Sequence, residues 1–375
     1  MDMDNDRLLS QTISLLRFPL TMGIFFIHFY LAKTGITIHG VTYGLNQPEW
    51  FLYVNVYFSG ILTAVCVPFF FWMSGLLFFY KMDFSWSAYL GKLRRRFRSL
   101  FIPYVLWNII AVLWTAKIFL PFLSSIFSNA GGVKLNLTLS GVLYTFFDNS
   151  RGLFILLDAA PPATMLPADG PLWYVRDLMI LILFSPVIYW FIKRLGLWCI
   201  LLLYVVFLFF LPDGYFGLLL SSLLFFSWGA YYGIHHIDVI ARFRRYRLAP
   251  VIYLVITLLD LVTYRMPINP IMPRLGEPFG IIAIVSIASW FLETGKVKVN
   301  KTLSNSSFFV FALHIFIISD IAKVLFIALD KPDNTYVLLG FYFLVPFIVA
   351  AICVGIYMAV KRVTPSLCSL LTGGR

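Results

Sequence analysis

Long, uninterrupted apolar runs constrain this chain more than any other feature. A helix that crosses the hydrocarbon core of a bilayer needs about 17–25 apolar residues, and ten segments approach that length. They lie near residues 12–32, 54–80, 99–120, 172–192, 196–212, 215–235, 249–265, 275–293, 304–329 and 335–360. The fifth is short and the second and ninth are long, so tilts or breaks are expected there. Because the runs are continuous rather than alternating, they predict helices and not a barrel. The predicted fold is all-α: a polytopic integral membrane protein with about ten transmembrane helices.

The composition supports this class and excludes a soluble one. Hydrophobic residues make up 61% of the 375 residues and charged residues only 12%, against about 25% charged in a soluble domain. A net charge of +12 would suggest a nucleic-acid partner for a soluble protein. Here the position of the charges matters more than their sum, so we expect membrane lipid and not nucleic acid as the partner.

The basic residues predict the orientation. With the amino terminus in the cytoplasm, 19 of the 29 Lys and Arg residues fall in segments on the inner side, and every inner loop is basic. This distribution predicts an even number of helices with both termini cytoplasmic. The acidic first residues lack the basic region of a secretory signal, so we expect the first span to be retained.

The chain is predicted to form a single transmembrane domain over residues 1–375. One long outside segment, about 121–171, contains Gly131-Gly132 and Pro161-Pro162 and could cover a site that faces outward. Four widely separated cysteines (Cys66, Cys199, Cys353 and Cys368) indicate neither a disulfide framework nor a metal site, and no metal is expected.

Two ionisable residues of the first span are eleven positions apart, Arg17 and His28. Eleven residues at about 100° each come within about 20° of three full turns, so the two side chains share one helix face about 16 Å apart along the axis. Ionisable groups within spans are costly and suggest function. The alternatives are that Arg17 extends to lipid phosphates and that His28 packs against neighbouring helices.

The pair fits acyl transfer from a cytoplasmic thioester to an acceptor beyond the membrane. A neutral imidazole can take the proton of an attacking hydroxyl, and a guanidinium suits a phosphate or carbonyl of the donor. Four arginines in five residues, Arg94 to Arg98, stand at the inner end of the third segment. They could hold the phosphates of coenzyme A, or they could serve topology and anionic lipid alone.

Several motifs together resemble the acyltransferase-3 family, in that family's order and over about residues 8–360. They are Arg17-x10-His28, Phe70-Phe71-Trp72-Met73-Ser74-Gly75, the arginine-rich stretch ending Ile102-Pro103-Tyr104, Pro171-Leu172-Trp173-Tyr174-Val175-Arg176-Asp177-Leu178 with Ser185-Pro186, Ser227-Trp228-Gly229-Ala230, and Ser307-Phe308-Phe309-Val310-Phe311-Ala312-Leu313-His314.

The resemblance implies a ten-helix membrane enzyme that transfers an acyl group, most often acetyl from acetyl-CoA, to a hydroxyl of a surface or exported glycan or glycolipid. It implies catalytic roles for Arg17 and His28 and donor binding by Arg17, Arg95 and Arg98. It also implies a place in a bacterial cytoplasmic membrane.

The acceptor side is less defined. Candidate substrate-binding residues are Trp173, Arg176, Asp177 and His314. Lipopolysaccharide-modifying members often carry Trp-Ser and a nearby Glu where this chain has Trp173-Tyr174 and Arg176-Asp177, which bears on the acceptor more than on the reaction. His314 could instead be a packing residue. One aspartate, among Asp177, Asp260 and Asp320, could orient His28, and the sequence leaves that choice open.

Two other functions remain as alternatives. A transporter or flippase for a lipid-linked or anionic solute would use the same charges as a pathway, although the chain has no internal repeat of the kind common in transporters. A membrane scaffold explains the composition but not the ionisable residues within the spans. The acceptor glycan, the acyl chain, the choice between direct transfer and an acyl-enzyme, and the oligomeric state do not follow from the sequence.

Overall fold

The computed structural model describes residues 2–38, 41–116, 133–156, 165–210, 212 and 214–374. The helices up to residue 145 are α1 (Asp2–His28), α2 (Leu31–Thr34), α3 (Glu49–Asn55), α4 (Cys66–Phe79), α5 (Trp86–Arg96), α6 (Ile102–Thr115) and α7 (Leu139–Thr145). The later helices are α8 (Trp173–Leu183), α9 (Ser185–Leu195), α10 (Leu197–Phe209), α11 (Tyr215–Ile234), α12 (Val239–Arg244), α13 (Ala249–Val262), α14 (Ile271–Glu293), α15 (Lys301–Ala328), α16 (Thr335–Val363) and α17 (Pro365–Thr372).

Short irregular elements complete the described part of the chain. Two antiparallel pairs of three-residue strands are β1 (Ile36–Ile38) with β2 (Val41–Tyr43) and β3 (Val133–Leu135) with β4 (Phe154–Leu156). There are π-helical turns at Val56–Ile61 and Phe97–Phe101 and 3₁₀ turns at Asn149–Arg151 and Gly170–Leu172.

Seven helical stretches of the described residues are long and apolar enough to cross a membrane. They are Asn5–Thr34, Glu49–Phe79, Trp86–Thr115, Tyr215–Ile234, Ile271–Glu293, Lys301–Ala328 and Thr335–Val363. A bent pair, Gly170–Leu183 with Ser185–Leu195, is apolar enough to be either a broken span or a re-entrant loop. The shorter apolar helices α10 and α13 coincide with the two remaining predicted segments. The all-α polytopic membrane fold is confirmed. The count of ten spans and the cytoplasmic position of both termini stay predictions.

The breaks within the spans have local causes. The second span contains the π-helical turn Val56–Ile61 and a further turn before α4 begins, which agrees with its excess length. A bend of 65° falls between α8 and α9, inside a segment that the apolar pattern predicted to be continuous. Pro186 stands at the start of α9, and a proline disfavours helical geometry at the residue before it and donates no backbone hydrogen bond.

The described chain divides into two compact units that alternate along the sequence. The first comprises Met1–Ile24, Gly60–Arg96 and Asp177–Ser307, and the second Phe25–Ser59, Phe97–Arg176 and Phe308–Arg375. The single domain predicted over residues 1–375 therefore stays a prediction, and each unit is described by itself.

In the first unit, glycines allow α4 and α11 to touch backbone to backbone. A Cβ atom on Gly75 would lie 1.9 Å from the carbonyl oxygen of Phe226, and one on Gly229 would lie 1.8 Å from that of Trp72. Small residues at such crossings let helices approach closely where no hydrophobic effect drives association. This contact explains why Ser74-Gly75 and Trp228-Gly229 stand out in the sequence.

In the second unit, α6 anchors both α15 and the C-terminal helix. The buried ring of Trp107 lies 5.2 Å from Phe309 and 6.2 Å from Phe316, and its Nε1–H donates to the carbonyl of Leu371 at 3.0 Å. Residues 117–132 and 157–164, with Gly131-Gly132 and Pro161-Pro162, lie outside the described residues. The described remainder of the predicted outside segment contains β3, α7 and β4.

We predict that Gly229→Ala destabilises the protein by about 3 kcal/mol, because the added methyl group meets a backbone oxygen that cannot move aside. The readout is thermal unfolding in detergent, with Gly355→Ala as the control. Gly355 lies in an exposed position of α16 with open space around it, so that change should leave the melting temperature unchanged or slightly raised. Equal melting temperatures for native protein and Gly229→Ala would contradict the close contact.

Candidate functional site

His28 is the last residue of α1, the 27-residue helix at the amino terminus. Helix α1 runs without a break from Asp2 to His28, through Pro19, so Arg17 and His28 do lie on one helix. The His28 side chain is exposed, although its neighbours Phe25 and Phe29 are buried. An exposed imidazole at the end of a membrane helix is accessible to a substrate. Arg17 belongs to the first unit, where it is half-buried and its carbonyl accepts a hydrogen bond from the Thr21 hydroxyl at 2.9 Å.

Polar contacts fix the chain immediately after His28. The buried Asn55 accepts a hydrogen bond from the Ala32 backbone N–H at 3.2 Å, and its amide donates to the Phe51 carbonyl at 2.9 Å. These bonds tie the beginning of α2 to α3. The buried Asn55 side chain, itself hydrogen-bonded to α3, therefore holds the chain just after α1. This contact positions the backbone at His28 within the second unit.

The residue against His28 in the second unit is His314, from the middle of α15. Their ring centroids are 5.3 Å apart, with the planes tilted by 51°. His314 is fully buried, and Phe25 stacks on it at 4.4 Å and 13°. Its Nδ1 lies 2.5 Å from the carbonyl oxygen of Phe311. The structure thus brings together two of the residues singled out from the sequence.

Aromatic side chains of α16 pack beside this pair. Tyr342 lies parallel to Phe29 at 6.3 Å and edge-on to Phe26 at 5.6 Å. The buried Tyr342 hydroxyl is 2.7 Å from the Ser59 hydroxyl, which satisfies both groups. Aromatic rings therefore pack next to both imidazoles, of which His314 is buried and His28 exposed.

Arg176 is held by main-chain carbonyls. One guanidinium nitrogen donates to the carbonyl oxygen of Phe147 at 2.7 Å and to that of Met165, and the group lies 4.7 Å from the Phe147 ring centre. The buried guanidinium therefore fastens the described part of the outside segment to α8. Trp173 is half-buried in the same unit, whereas Asp177 belongs to the first unit and is fully buried there.

Asp169 is a residue that the sequence analysis did not consider. It is fully buried in the second unit, and neither carboxyl oxygen has a hydrogen-bond partner in the part of the chain that the structure describes. Its backbone N–H donates to Asn108 Oδ1 at 3.0 Å, and burial raises the pKa of its carboxyl group well above the ordinary value. The available signal was its place before Gly170-Pro171, where an aspartate normally caps a helix; here its side chain makes no such bond.

The remaining predicted residues lie in helical turns. Arg95 is exposed in α5 of the first unit, and Arg98 is exposed in the π-helical turn Phe97–Phe101 of the second. Asp260, one of the aspartates considered as a partner of His28, accepts a hydrogen bond from the Asn269 amide at 2.6 Å within the first unit.

Known proteins resemble this chain over almost its whole length. A family model described as an acyltransferase domain matches residues 11–360. The succinoglycan biosynthesis protein ExoH of Rhizobium meliloti (strain 1021) is 27% identical over 379 residues, which cover 99% of this chain and 94% of that protein. No solved structure matches the chain significantly.

We predict that Arg176→Lys lowers the free energy of unfolding by about 1.5–3 kcal/mol, because lysine keeps the charge but loses the flat guanidinium that lies against Phe147 and the nitrogen that donates to both carbonyls. Thermal unfolding in detergent is the measurement. Arg151→Lys is the control, since the Arg151 side chain is exposed and lysine can keep its 3.6 Å ion pair with Asp148. If both variants melt like the native protein, Arg176 does not fasten the outside segment.

Proposed function

The chain belongs to the acyltransferase-3 family, and from this premise we propose that it transfers an acyl group from cytoplasmic acyl-CoA to a glycan hydroxyl at the outer side of the membrane. The family and the membrane helices make it an integral membrane acyltransferase. The proposal adds the donor, with acetyl as the acyl group, the side of the membrane and the residues that act. It also places the protein in a bacterial cytoplasmic membrane.

The observation that carries the proposal is the exposed imidazole of His28 at the end of α1, backed by buried aromatic rings. In the proposed reaction a bare nitrogen of His28 takes the proton from the acceptor hydroxyl while the oxygen attacks the thioester carbonyl. The carbon–sulfur bond breaks, and the imidazolium returns its proton to the leaving thiolate. The products are the O-acyl glycan and free coenzyme A, so His28 serves as base and then as acid.

Arginines are proposed to bind the donor. Coenzyme A carries several phosphates, which guanidinium groups bind through two parallel hydrogen bonds. Arg95 and Arg98 are exposed, so the phosphates of a donor in solution can reach them. Arg17 stands eleven residues before His28 on the continuous helix α1, and we assign it to the carbonyl or phosphate end of the donor.

The acceptor is proposed to be a glycan or a glycolipid precursor of one. The relative with 27% identity is named for succinoglycan biosynthesis, and an exported polysaccharide or its lipid-linked unit offers the hydroxyl groups that the reaction needs. Trp173, Arg176 and Asp177 are the proposed acceptor-side residues, whereas His314 is fully buried beside His28 and its role follows from that contact. For Arg176 the bonds to Phe147 and Met165 support a role in shaping that side.

We predict that His28→Ala lowers turnover by about 100- to 10,000-fold, the usual contribution of a general base, while acetyl-CoA still binds. The experiment uses the full chain in nanodiscs and measures acetyl-CoA binding and free thiol released when candidate glycans are added. His236→Ala is the control, because His236 is exposed and 4.0 Å from Asp83 in the first unit. Failure of the native protein to bind any acyl-CoA would reject the donor and favour transport.

We predict that Arg95→Ala and Arg98→Ala each raise the KM for acetyl-CoA by about 10- to 100-fold, the loss expected for one charged hydrogen bond. Arg245→Ala is the control, since Arg245 is exposed in another basic loop. With S-acetylpantetheine, which lacks the nucleotide phosphates, all these variants should match the native protein. An unchanged KM for acetyl-CoA would leave these arginines to topology and lipid.

A further inference from the structure

The neighbour of His28 is another histidine and not a carboxylate. Base histidines are commonly held by an acid that accepts from the second ring nitrogen. Among the described residues, no carboxyl group is hydrogen-bonded to His28, and Asp260 is engaged by Asn269 within the first unit. The ring facing His28 is that of His314, with 5.3 Å between the centroids.

The surroundings of His314 determine its protonation pattern. A carbonyl oxygen can only accept a hydrogen bond, so the nitrogen 2.5 Å from the Phe311 carbonyl must carry the hydrogen. In a neutral ring the other nitrogen, Nε2, is then a bare acceptor. Nε2 is buried and has no hydrogen-bond partner in the described part of the chain. A buried acceptor without a donor costs about 1–3 kcal/mol, so a donor at this position would stabilise the protein.

His28 is placed to supply that donor. His314 is locked by the Phe25 stack and the Phe311 carbonyl, whereas His28 is exposed at the last residue of its helix. A centroid separation of 5.3 Å is compatible with one direct bond between a nitrogen of each ring, and rotation of the exposed His28 ring would form it.

We propose that His314 is a positioning residue that accepts a hydrogen bond from one nitrogen of His28, so that the other nitrogen stays bare and faces the acceptor hydroxyl. The inference deepens the proposed function and rests on it. When His28 takes the proton of the hydroxyl, it becomes a cation with a hydrogen on each nitrogen. One of these is shared with His314 Nε2, and the other returns to the thiolate. His314 itself stays neutral throughout.

Three substitutions at position 314 separate positioning from packing. His314→Phe keeps the ring and its stacking on Phe25 but removes the acceptor. His314→Asn keeps a donor near the Phe311 carbonyl and loses the group that faces His28. His314→Gln places an amide oxygen where Nε2 stood, so it is the variant that should rescue activity.

The experiment uses the full chain in nanodiscs with acetyl-CoA and a glycan acceptor, after each variant has been checked for a native melting temperature. We expect kcat to fall about 10- to 100-fold in His314→Phe and His314→Asn, as for other groups that orient a functional histidine. The acceptor KM and the binding of acetyl-CoA should stay unchanged, and His314→Gln should restore most of kcat. A higher acceptor KM with normal kcat would overturn positioning in favour of acceptor binding, and so would His314→Gln being as impaired as His314→Phe.

A second measurement does not depend on turnover. Nitrogen-15 NMR of histidine side chains reports which ring nitrogen carries the hydrogen, and the chain has five histidines, so His28→Ala identifies the signal. We expect one tautomer of His28 in the native protein and in His314→Gln, and a mixture in His314→Phe. A mixture in the native protein would overturn the inference. A single tautomer in a protein that releases no thiol with any glycan would reject the proposed function and leave the positioning contact standing.

Discussion

The bilayer offers no water to hydrogen-bond an exposed backbone group, and the rest of this structure depends on that constraint. It explains why the described chain is almost entirely helical and why its strands are only three residues long. It also governs the side chains inside the spans. The Trp107 indole donates to the Leu371 carbonyl at 3.0 Å, and Arg274 donates to the Leu208 carbonyl at the same distance. Polar side chains inside the spans are thus hydrogen-bonded to carbonyl oxygens that the ends of helices leave without a backbone partner.

Against this background, a buried ionisable group that lacks a partner stands out. Asp169 and His314 Nε2 are two such groups of the second unit among the described residues. Both lie in parts of the second unit that α6 contacts: Asn108 binds the backbone of Asp169, and the adjacent Trp107 contacts Phe309 and Phe316 on the helix that carries His314. A buried polar group without a protein partner calls for an explanation, such as a ligand, a reaction, local strain or an ordered water.

Local patterns in the sequence were enough to predict the apolar helices and the shared helix of Arg17 and His28, because both follow from hydropathy and from the helical repeat. The bend between α8 and α9 depends on Pro186 and its neighbours, and the apolar pattern runs through it without a sign. The contact between His28 and His314 joins residues 286 positions apart, which no periodicity reports. Asp169 was missed because an aspartate before Gly-Pro is typical of an ordinary helix cap. Only its burial in the structure distinguishes it from such a cap.

A histidine beside the proposed base His28 suits a site within a membrane better than an acid would. An ionised carboxylate costs several kcal/mol to bury, and its attraction for the imidazolium repays this only with excellent geometry. A neutral imidazole already satisfied by the Phe311 carbonyl adds one acceptor without adding a charge. On the proposed arrangement, the resting site holds no net charge near His28, and the cation exists only during the reaction. The low dielectric that makes ionisable groups rare in these helices then favours the neutral base that the reaction needs.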